Sequence, residues 1–382
     1  MIEILVIASL LIIFLAYLTL KKPNNDNTSS NVYSAEYYRG LNYLLNNEDD
    51  KALKIFTDLI DVDSSTIETH LALGGVYRRR GEFDKAILIH QNLLSRPKLD
   101  KSIKNQSLYE LSKDFFSAGL YDKSERILLN LKENQSYQES CIEYLLLIYE
   151  LSKDWDSAIS FSKNLKQERV RNTNINVLTS QYYCEKSVVY QNDNQLNKSI
   201  TVLRKAIDVN NNCTRAFFML FKLNTESNPA LALDNLRALV KINSTFLLIL
   251  AKDILKLSVT HQNKDIDMKI YSLILEESKP NQFSPDLYEF MFNINAYDSP
   301  KEYVSKVSEN MFTNIYDNLY NKKNNDQPSN SDLLRIIKEN YMLYSCNNCG
   351  YTAKSHVWQC PSCNRWETIE INTINERVNI NE

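Results

Sequence analysis

Glycine, proline and histidine are scarce in this chain, at 6, 8 and 4 of 382 residues. Few glycines and prolines beside abundant Tyr, Leu and Ile describe a helical body with ample material for a core. A net charge of −3 and the lack of a basic stripe argue against nucleic acid as the main partner. The local run Arg78-Arg79-Arg80 reads as a solvated face or a partner of a helix C-terminal dipole. The four histidines, His70, His90, His261 and His356, fall in unrelated contexts, and no phosphate-binding glycine loop or nucleophile motif accompanies them. Enzymatic activity is therefore not expected. His90 occupies a position filled elsewhere by Phe56 and reads as a packed helix residue. Asp49-Asp50 reads as solvated, turn-capping carboxylates.

What the chain does have is concentrated at its C-terminal end. Cys346-Asn347-Asn348-Cys349-Gly350-Tyr351 is followed by Cys360-Pro361-Ser362-Cys363. Two C-x-x-C knuckles at this separation can close a tetrahedral four-sulfur metal site. Gly350 supplies the backbone freedom that such a turn needs, and Pro361 stiffens the second knuckle. Four thiolates suit Fe and Zn alike, so the spacing leaves the metal open. With no ligand position left for water, the site reads as structural or electron-carrying rather than hydrolytic. His356 is read as a surface residue of the intervening loop. Tyr344, Tyr351, Trp358 and Trp366 are expected to form the module's small core.

At the other end, Ile4 to Leu20 is an apolar run about long enough to cross a ~30 Å hydrocarbon core. Lys21 and Lys22 follow it while Glu3 precedes it, which places the body on the cytoplasmic side. The missing basic n-region and cleavage site argue against a cleaved signal peptide. Cys141, Cys184 and Cys213, an odd set scattered through helical segments, read as buried thiols in a reducing compartment.

The body repeats. Gly40 to Gly74, Tyr43 to Tyr77, Ala52 to Ala86 and Phe56 to His90 are each 34 residues apart, the tetratricopeptide period. The frame slips to 38 for Tyr77 to Phe115 and Ala86 to Ser124, and to 41 for Tyr149 to Tyr190 and Ala158 to Ser199. Slips shared by both landmarks mean loop insertions. The small residue lets paired helices approach, the aromatic fills space between them, and stacking buries the apolar faces. Further on, Ala216 to Val240 reads as a helix pair turning at Asn228-Pro229. Leu247 to Leu257 and Met268 to Glu277 read as helices without landmarks, and Pro285 starts another.

The expected fold is thus mainly α: a tetratricopeptide solenoid with a transmembrane helix before it and a small rubredoxin-like ribbon after it. The expected divisions are an anchor at 1–22, a polar linker at 23–32, repeats at 33–320 that degenerate late, a linker and helix at 321–340, the metal module at 341–372 and a tail at 373–382. First-helix positions one turn either side of the landmark aromatic should face inward. That singles out Arg78, Tyr109, Lys113, Phe116, Glu143 and Glu150 as partner contacts, their mixed chemistry suiting a polypeptide better than lipid.

A membrane span, a tetratricopeptide body and a C-x-x-C-G-[FY]…W-x-C-P-x-C-x-x-W ending together resemble the lipopolysaccharide assembly protein B family of Gram-negative bacteria. Two body segments resemble it too: Arg80-Gly81-Glu82-Phe83-Asp84-Lys85-Ala86-Ile87 into Ile89-His90-Gln91, and Ala118-Gly119-Leu120-Tyr121-Asp122-Lys123. The stretch from about Leu247 to Tyr320 departs from it. The resemblance implies a single-pass inner-membrane adaptor that works with an FtsH-type AAA protease to destroy the deacetylase committing precursors to lipid A. It also implies rubredoxin-type metal, usually iron, at Cys346, Cys349, Cys360 and Cys363. A generic scaffold or co-chaperone, and a rubredoxin-like electron carrier, are the competing readings.

Overall fold

The computed structural model describes residues 35–58 in part, 67–95, 99–165, 169–170, 173–279, 284–294, 299–307, 318–319 and 342–373. The apolar run 4–20, the two polar linkers and the helix expected at 332–340 lie outside these residues. Among the described residues no helix is long and apolar enough to cross a membrane. The chain divides into two compact units, Met1–Ser152 and Lys153–Glu382.

The first unit consists of antiparallel helix pairs: α1 (Asp49–Asp58), α2 (Ile67–Arg79), α3 (Phe83–Leu94), α4 (Lys101–Ser117), α5 (Tyr121–Leu131) and α6 (Gln138–Ser152). The small-residue landmark behaves as its spacing predicts. Ala52, Ala86 and Ser124 are all fully buried where second helices meet first helices. Serine can replace alanine there because its hydroxyl is satisfied, Ser124 Oγ donating to the Ser112 carbonyl at 2.8 Å. Each first helix ends in a left-handed residue, Gly81 (φ +77°) and Gly119 (φ +73°). The amide of the next residue then reaches back to the landmark aromatic, Glu82 N to Tyr77 O at 2.9 Å and Leu120 N to Phe115 O at 2.8 Å. The residue before each small landmark adds a contact that the periodicity did not suggest. Lys51, Lys85 and Lys123 lie over the rings of Tyr43, Tyr77 and Phe115 at 5.4, 5.2 and 5.4 Å.

The second unit continues the pattern with α7 (Trp155–Lys163), α8 (Ile175–Asn192) and α9 (Leu196–Val209). Ala158 and Ser199 are again fully buried, with Ser199 Oγ 2.8 Å from Ser187 Oγ. The insertion that stretches the period to 41 residues includes a short antiparallel hairpin, β1 (Arg169–Val170) and β2 (Thr173–Asn174), between α7 and α8. Next come α10 (Thr214–Asn224) and α11 (Pro229–Ile242), turning where Asn228 and Pro229 predict. Asn228 caps α11 by accepting from Leu231 N at 3.1 Å, with Pro229 in the first turn.

The expected helix from Leu247 to Leu257 is two: α12 (Phe246–Ile249) and α13 (Ala251–His261), broken at the fully buried Leu250. The short α12 opens with the buried Phe246. After α14 (Lys264–Glu277) come α15 (Pro285–Asn293) and α16 (Ser299–Val307). Landmarks are missing here, yet Leu250, Ile254, Ile270, Leu287, Tyr288, Phe290 and Tyr303 form one continuous core with Phe221 and Leu236. The signature residues are absent here, and large apolar side chains close the core together with Ala232 and Ala251. Tyr303 shows how the polar atoms are managed: its hydroxyl, wholly buried, accepts the Ser284 amide at 3.0 Å.

The ribbon closes the unit. β3 (Met342–Cys346) is the central strand of a three-stranded antiparallel sheet between β4 (Thr352–Ala353) and β5 (Ile369–Thr373). Tyr344 pairs with both Ala353 and Ile371, and Cys346 with Ile369.

Candidate metal centre and neighbouring surfaces

The four sulfurs converge. Cys346 Sγ lies 3.7 Å from Cys363 Sγ, Cys349 Sγ lies 3.6 Å from Cys360 Sγ, and all four fall within 4.8 Å of one another. A tetrahedron with metal–sulfur bonds of about 2.3 Å has edges of about 3.8 Å, so the quartet fits a single metal ion. Each knuckle is closed by the same device. Gly350 N donates to Cys346 O and Asn364 N to Cys360 O, both at 2.8 Å, and both residues are left-handed (φ +74° and +54°). Asn364 is the counterpart of Gly350 that the spacing of the knuckles does not flag, and asparagine is the residue that tolerates this conformation best after glycine. Burial raises the Cys346 thiol, but hydrogen bonds with Thr368 and the amides of Cys349 and Asn348 outweigh it and bring it down to about 6. Burial pushes Cys360 up to about 11. Cys346 and Cys360 are buried, whereas Cys349 is exposed.

Two expectations about the ribbon need correction. His356 is not a surface residue. Its ring packs against Trp358 at 4.5 Å, Phe246 at 5.8 Å and Tyr344 at 5.9 Å, and burial holds it at about 4. Nor do the four aromatics make one core. Tyr344 and Trp366 are buried, but Tyr351 is exposed and Trp358, beside His356, packs against the core of the helices. Trp358 stacks on Phe246 (5.6 Å, 12° between planes) and meets Phe218 edge-on at 5.3 Å.

The ribbon is thus docked on the helices of its own unit. Arg215 on α10 sits between the rings of Trp358 and Trp366, at 5.8 and 5.4 Å, while its Nη2 donates to Glu185 Oε1 at 2.7 Å. Glu367 Oε1 accepts from Gln181 Nε2 at 2.8 Å and from Thr214 Oγ1 at 3.1 Å. Burial raises Glu367 above the ordinary carboxylate range despite these donors.

A second constellation lies in the first unit. Four of the six inward-facing candidates come together there: Arg78, Tyr109, Lys113 and Phe116. Tyr109 meets Tyr137 at 5.2 Å and Tyr144 at 6.2 Å, and Phe116 meets Tyr144 at 5.1 Å. Lys113 lies over the Tyr109 ring at 5.3 Å and bonds Glu110 at 2.9 Å. Glu143 is half-buried on α6, but Glu150 is buried and offers no surface for a partner. Tyr137, Tyr144 and Glu110 adjoin these side chains, and a rule that looks one turn from a single aromatic does not select them.

Arg78 also departs from its sequence reading as part of a solvated run. Its Nη2 bonds Glu110 Oε2 at 2.6 Å and its Nη1 bonds Asp114 Oδ1 at 2.7 Å. Asp114 is fully buried and its other oxygen bonds His90 Nδ1. Arg80 likewise pairs with Asp50 and, at 3.1 Å, with Glu82. Each of these two arginines thus meets two carboxylates, at least one of them from another repeat.

Helix pairs that bury a small residue in each of the two units, with a four-sulfur ribbon docked in the second, define a tetratricopeptide protein with a rubredoxin-type metal module. A tetratricopeptide repeat family model matches residues 69–103, and a model described as the rubredoxin metal binding domain matches residues 344–370. The lipopolysaccharide assembly protein B of Escherichia coli strain K12 is 25% identical over 361 residues, covering 91% of each chain. That of Haemophilus influenzae is 28% identical over 387 aligned positions, covering 92% of each. The chain is thus similar, along about nine-tenths of its length, to proteins named lipopolysaccharide assembly protein B. Among solved structures, MamA covers 46% of this chain and 91% of its own at 16% identity, with a TM-score of 0.34. The C-terminal part of a repeat protein from Cytophaga hutchinsonii covers 73% and 98% at 10% identity, with a TM-score of 0.38.

Proposed function

We propose that this chain is a membrane-tethered, non-enzymatic adaptor that controls lipopolysaccharide synthesis by delivering the lipid A pathway deacetylase to an FtsH-type protease. The observation that carries the reading is the alignment, along nine-tenths of its length, with relatives named for lipopolysaccharide assembly. The tyrosine-rich face of the first unit is the proposed partner surface: Arg78, Tyr109, Lys113 and Phe116 with Tyr137 and Tyr144. Half-buried aromatics beside neutralised charges suit a polypeptide, which can cover rings and hydrogen-bond to tyrosine hydroxyls at once. The apolar run 4–20 is the proposed anchor, with the body on the cytoplasmic side of the inner membrane. Tethering raises the local concentration of a soluble client beside a membrane protease without any chemistry of its own.

Depleting the protein tests this by following deacetylase half-life. Lengthened half-life and raised lipopolysaccharide are expected, and an unchanged half-life sinks the reading. Tyr109→Ala should weaken degradation while metal content stays intact.

At Cys346, Cys349, Cys360 and Cys363 we propose one rubredoxin-type iron, with zinc as the alternative. The metal fixes the fold of the ribbon when bound. An electron-carrying role is the second reading, favoured by the exposed edge at Cys349. A measured reduction potential, or a site filled by zinc, separates the two.

A further inference from the structure

We propose that Cys184 and Cys213 are a redox pair, closed to a disulfide by peroxide, that governs how firmly the metal ribbon is held. Along the sequence, these cysteines belong to an unrelated scatter. In the fold their sulfurs are 3.8 Å apart, Cys184 on α8 and Cys213 at the cap of α10, and both are fully buried. The third body cysteine, Cys141, is equally buried but lies in the other unit.

The pair adjoins the ribbon's polar tether. Gln181 Nε2 lies 3.9 Å from Cys213 Sγ and 2.8 Å from Glu367 Oε1, and Thr214, next to Cys213, supplies the other donor to Glu367. The two thiols are not equivalent. The hydrogen bond from Cys184, with smaller help from Ser180 and the Ala216 amide, lowers the Cys213 thiol against burial and the nearby Glu367, whereas burial holds Cys184 protonated.

The chemistry balances with hydrogen peroxide as oxidant. Peroxide is about the size of water and can reach the pair in local openings. The Cys213 thiolate attacks one peroxide oxygen, the O–O bond breaks, hydroxide leaves, and Cys213 becomes a sulfenic acid. The Cys184 sulfur then attacks the Cys213 sulfur. Its proton leaves with the hydroxyl as water, and an S–S bond of about 2.0 Å replaces the contact. Closing that gap moves Cys213, and Thr214 with it, toward α8. Thr214 Oγ1 is thereby drawn off its 3.1 Å bond to Glu367 Oε1 while Gln181 stays in place on α8, and the tether loosens.

The test uses full-length, metal-loaded protein exposed to hydrogen peroxide, then alkylated in denaturant and mapped by peptide mass. A linked Cys184–Cys213 peptide that dithiothreitol separates is expected, with Cys141 still reduced. In Cys184→Ser protein, Cys213 should instead stop at a sulfenic acid trapped by dimedone. Protease cleavage between residues 321 and 341 should release the ribbon several-fold faster from oxidised protein, and peroxide should not speed release from Cys184→Ser/Cys213→Ser protein. Thiols that remain as reduced as Cys141 would overturn the pair, and a disulfide with unchanged ribbon release would overturn its link to the ribbon.

Discussion

Gly74 and His90 fit each other: a Cβ at position 74 would lie 2.4 Å from both Cε1 and Nε2 of the imidazole. His90 is fully buried and anchored by Asp114, so it cannot swing aside without breaking the Arg78–Asp114–His90 chain. In an ordinary helix interior, Gly→Ala stabilises by roughly 0.5–1 kcal/mol. Here overpacking should reverse the sign, and Gly74→Ala should destabilise the first unit by about 1–3 kcal/mol. Chemical denaturation of the single variant against Gly74→Ala/His90→Ala checks this. The double variant should recover part of what two independent losses would cost, which is the mark of a steric pair.

That pair shows what the sequence could and could not convey. Its two members appear among the 34-residue landmarks, Gly40 with Gly74 and Phe56 with His90, so the period flagged both positions without saying that they touch. The burial of the small landmarks, Ala52, Ala86 and Ser124 in one unit and Ala158 and Ser199 in the other, and the cysteine quartet were legible because each rests on a spacing that one local geometry requires. The placement of Trp358 and His356 was not. Their partners Phe218 and Phe246 stand more than 100 residues earlier, and no local spacing links positions so far apart. The Arg78 pairs with Glu110 and Asp114 escaped for a related reason, since long-range charge pairing between repeats leaves no periodic trace.

The turns between paired helices make a prediction of the opposite sign. Gly81 and Gly119 take left-handed conformations, and the corresponding position four residues after Tyr149 is Lys153, at φ +55°. A Cβ in that conformation costs about 1–2 kcal/mol that glycine avoids, less the extra entropy glycine loses on folding. Lys153→Gly should therefore stabilise by about 0.5–1 kcal/mol, seen as a higher denaturation midpoint with an unchanged slope.

Acid should loosen the ribbon from its helices through His356. Burial, with Arg215 nearby, lowers this imidazole to about 4, so the docked state favours the neutral ring. A group depressed in the folded state stabilises fully above its unfolded value near 6.5 and loses that contribution as pH falls through the folded value. The loss should thus develop between about pH 6.5 and pH 4. Glu367 acts in the opposite sense, because its raised value favours the protonated form that acid supplies. Metal thiolates also release their ion in acid, so His356→Phe is the control. The difference in ribbon release between parent and variant across this window isolates the imidazole, and parallel pH profiles would refute its role.

Docking and metal binding should separate when Trp358 is removed. Its ring stacks on Phe246 and meets Phe218 and the Arg215 guanidinium, all on the helical side, whereas the four sulfurs are held by knuckles whose hydrogen bonds run within the ribbon. Loss of a half-buried tryptophan and its ring contacts should weaken docking on the order of 2 kcal/mol. Trp358→Ala should keep one metal per chain and its sulfur-to-metal absorption, yet release an intact C-terminal fragment rapidly on cleavage near Asn324. Cys360→Ser should do the reverse of the first part: it removes a fully buried sulfur, the metal is lost, and the small ribbon unfolds with it. If Trp358→Ala loses metal as Cys360→Ser does, docking and ribbon folding are one cooperative event. If it retains both metal and slow release, Glu367, Arg215 and the His356–Phe246 contact hold the module, and the tryptophan stack contributes little to docking.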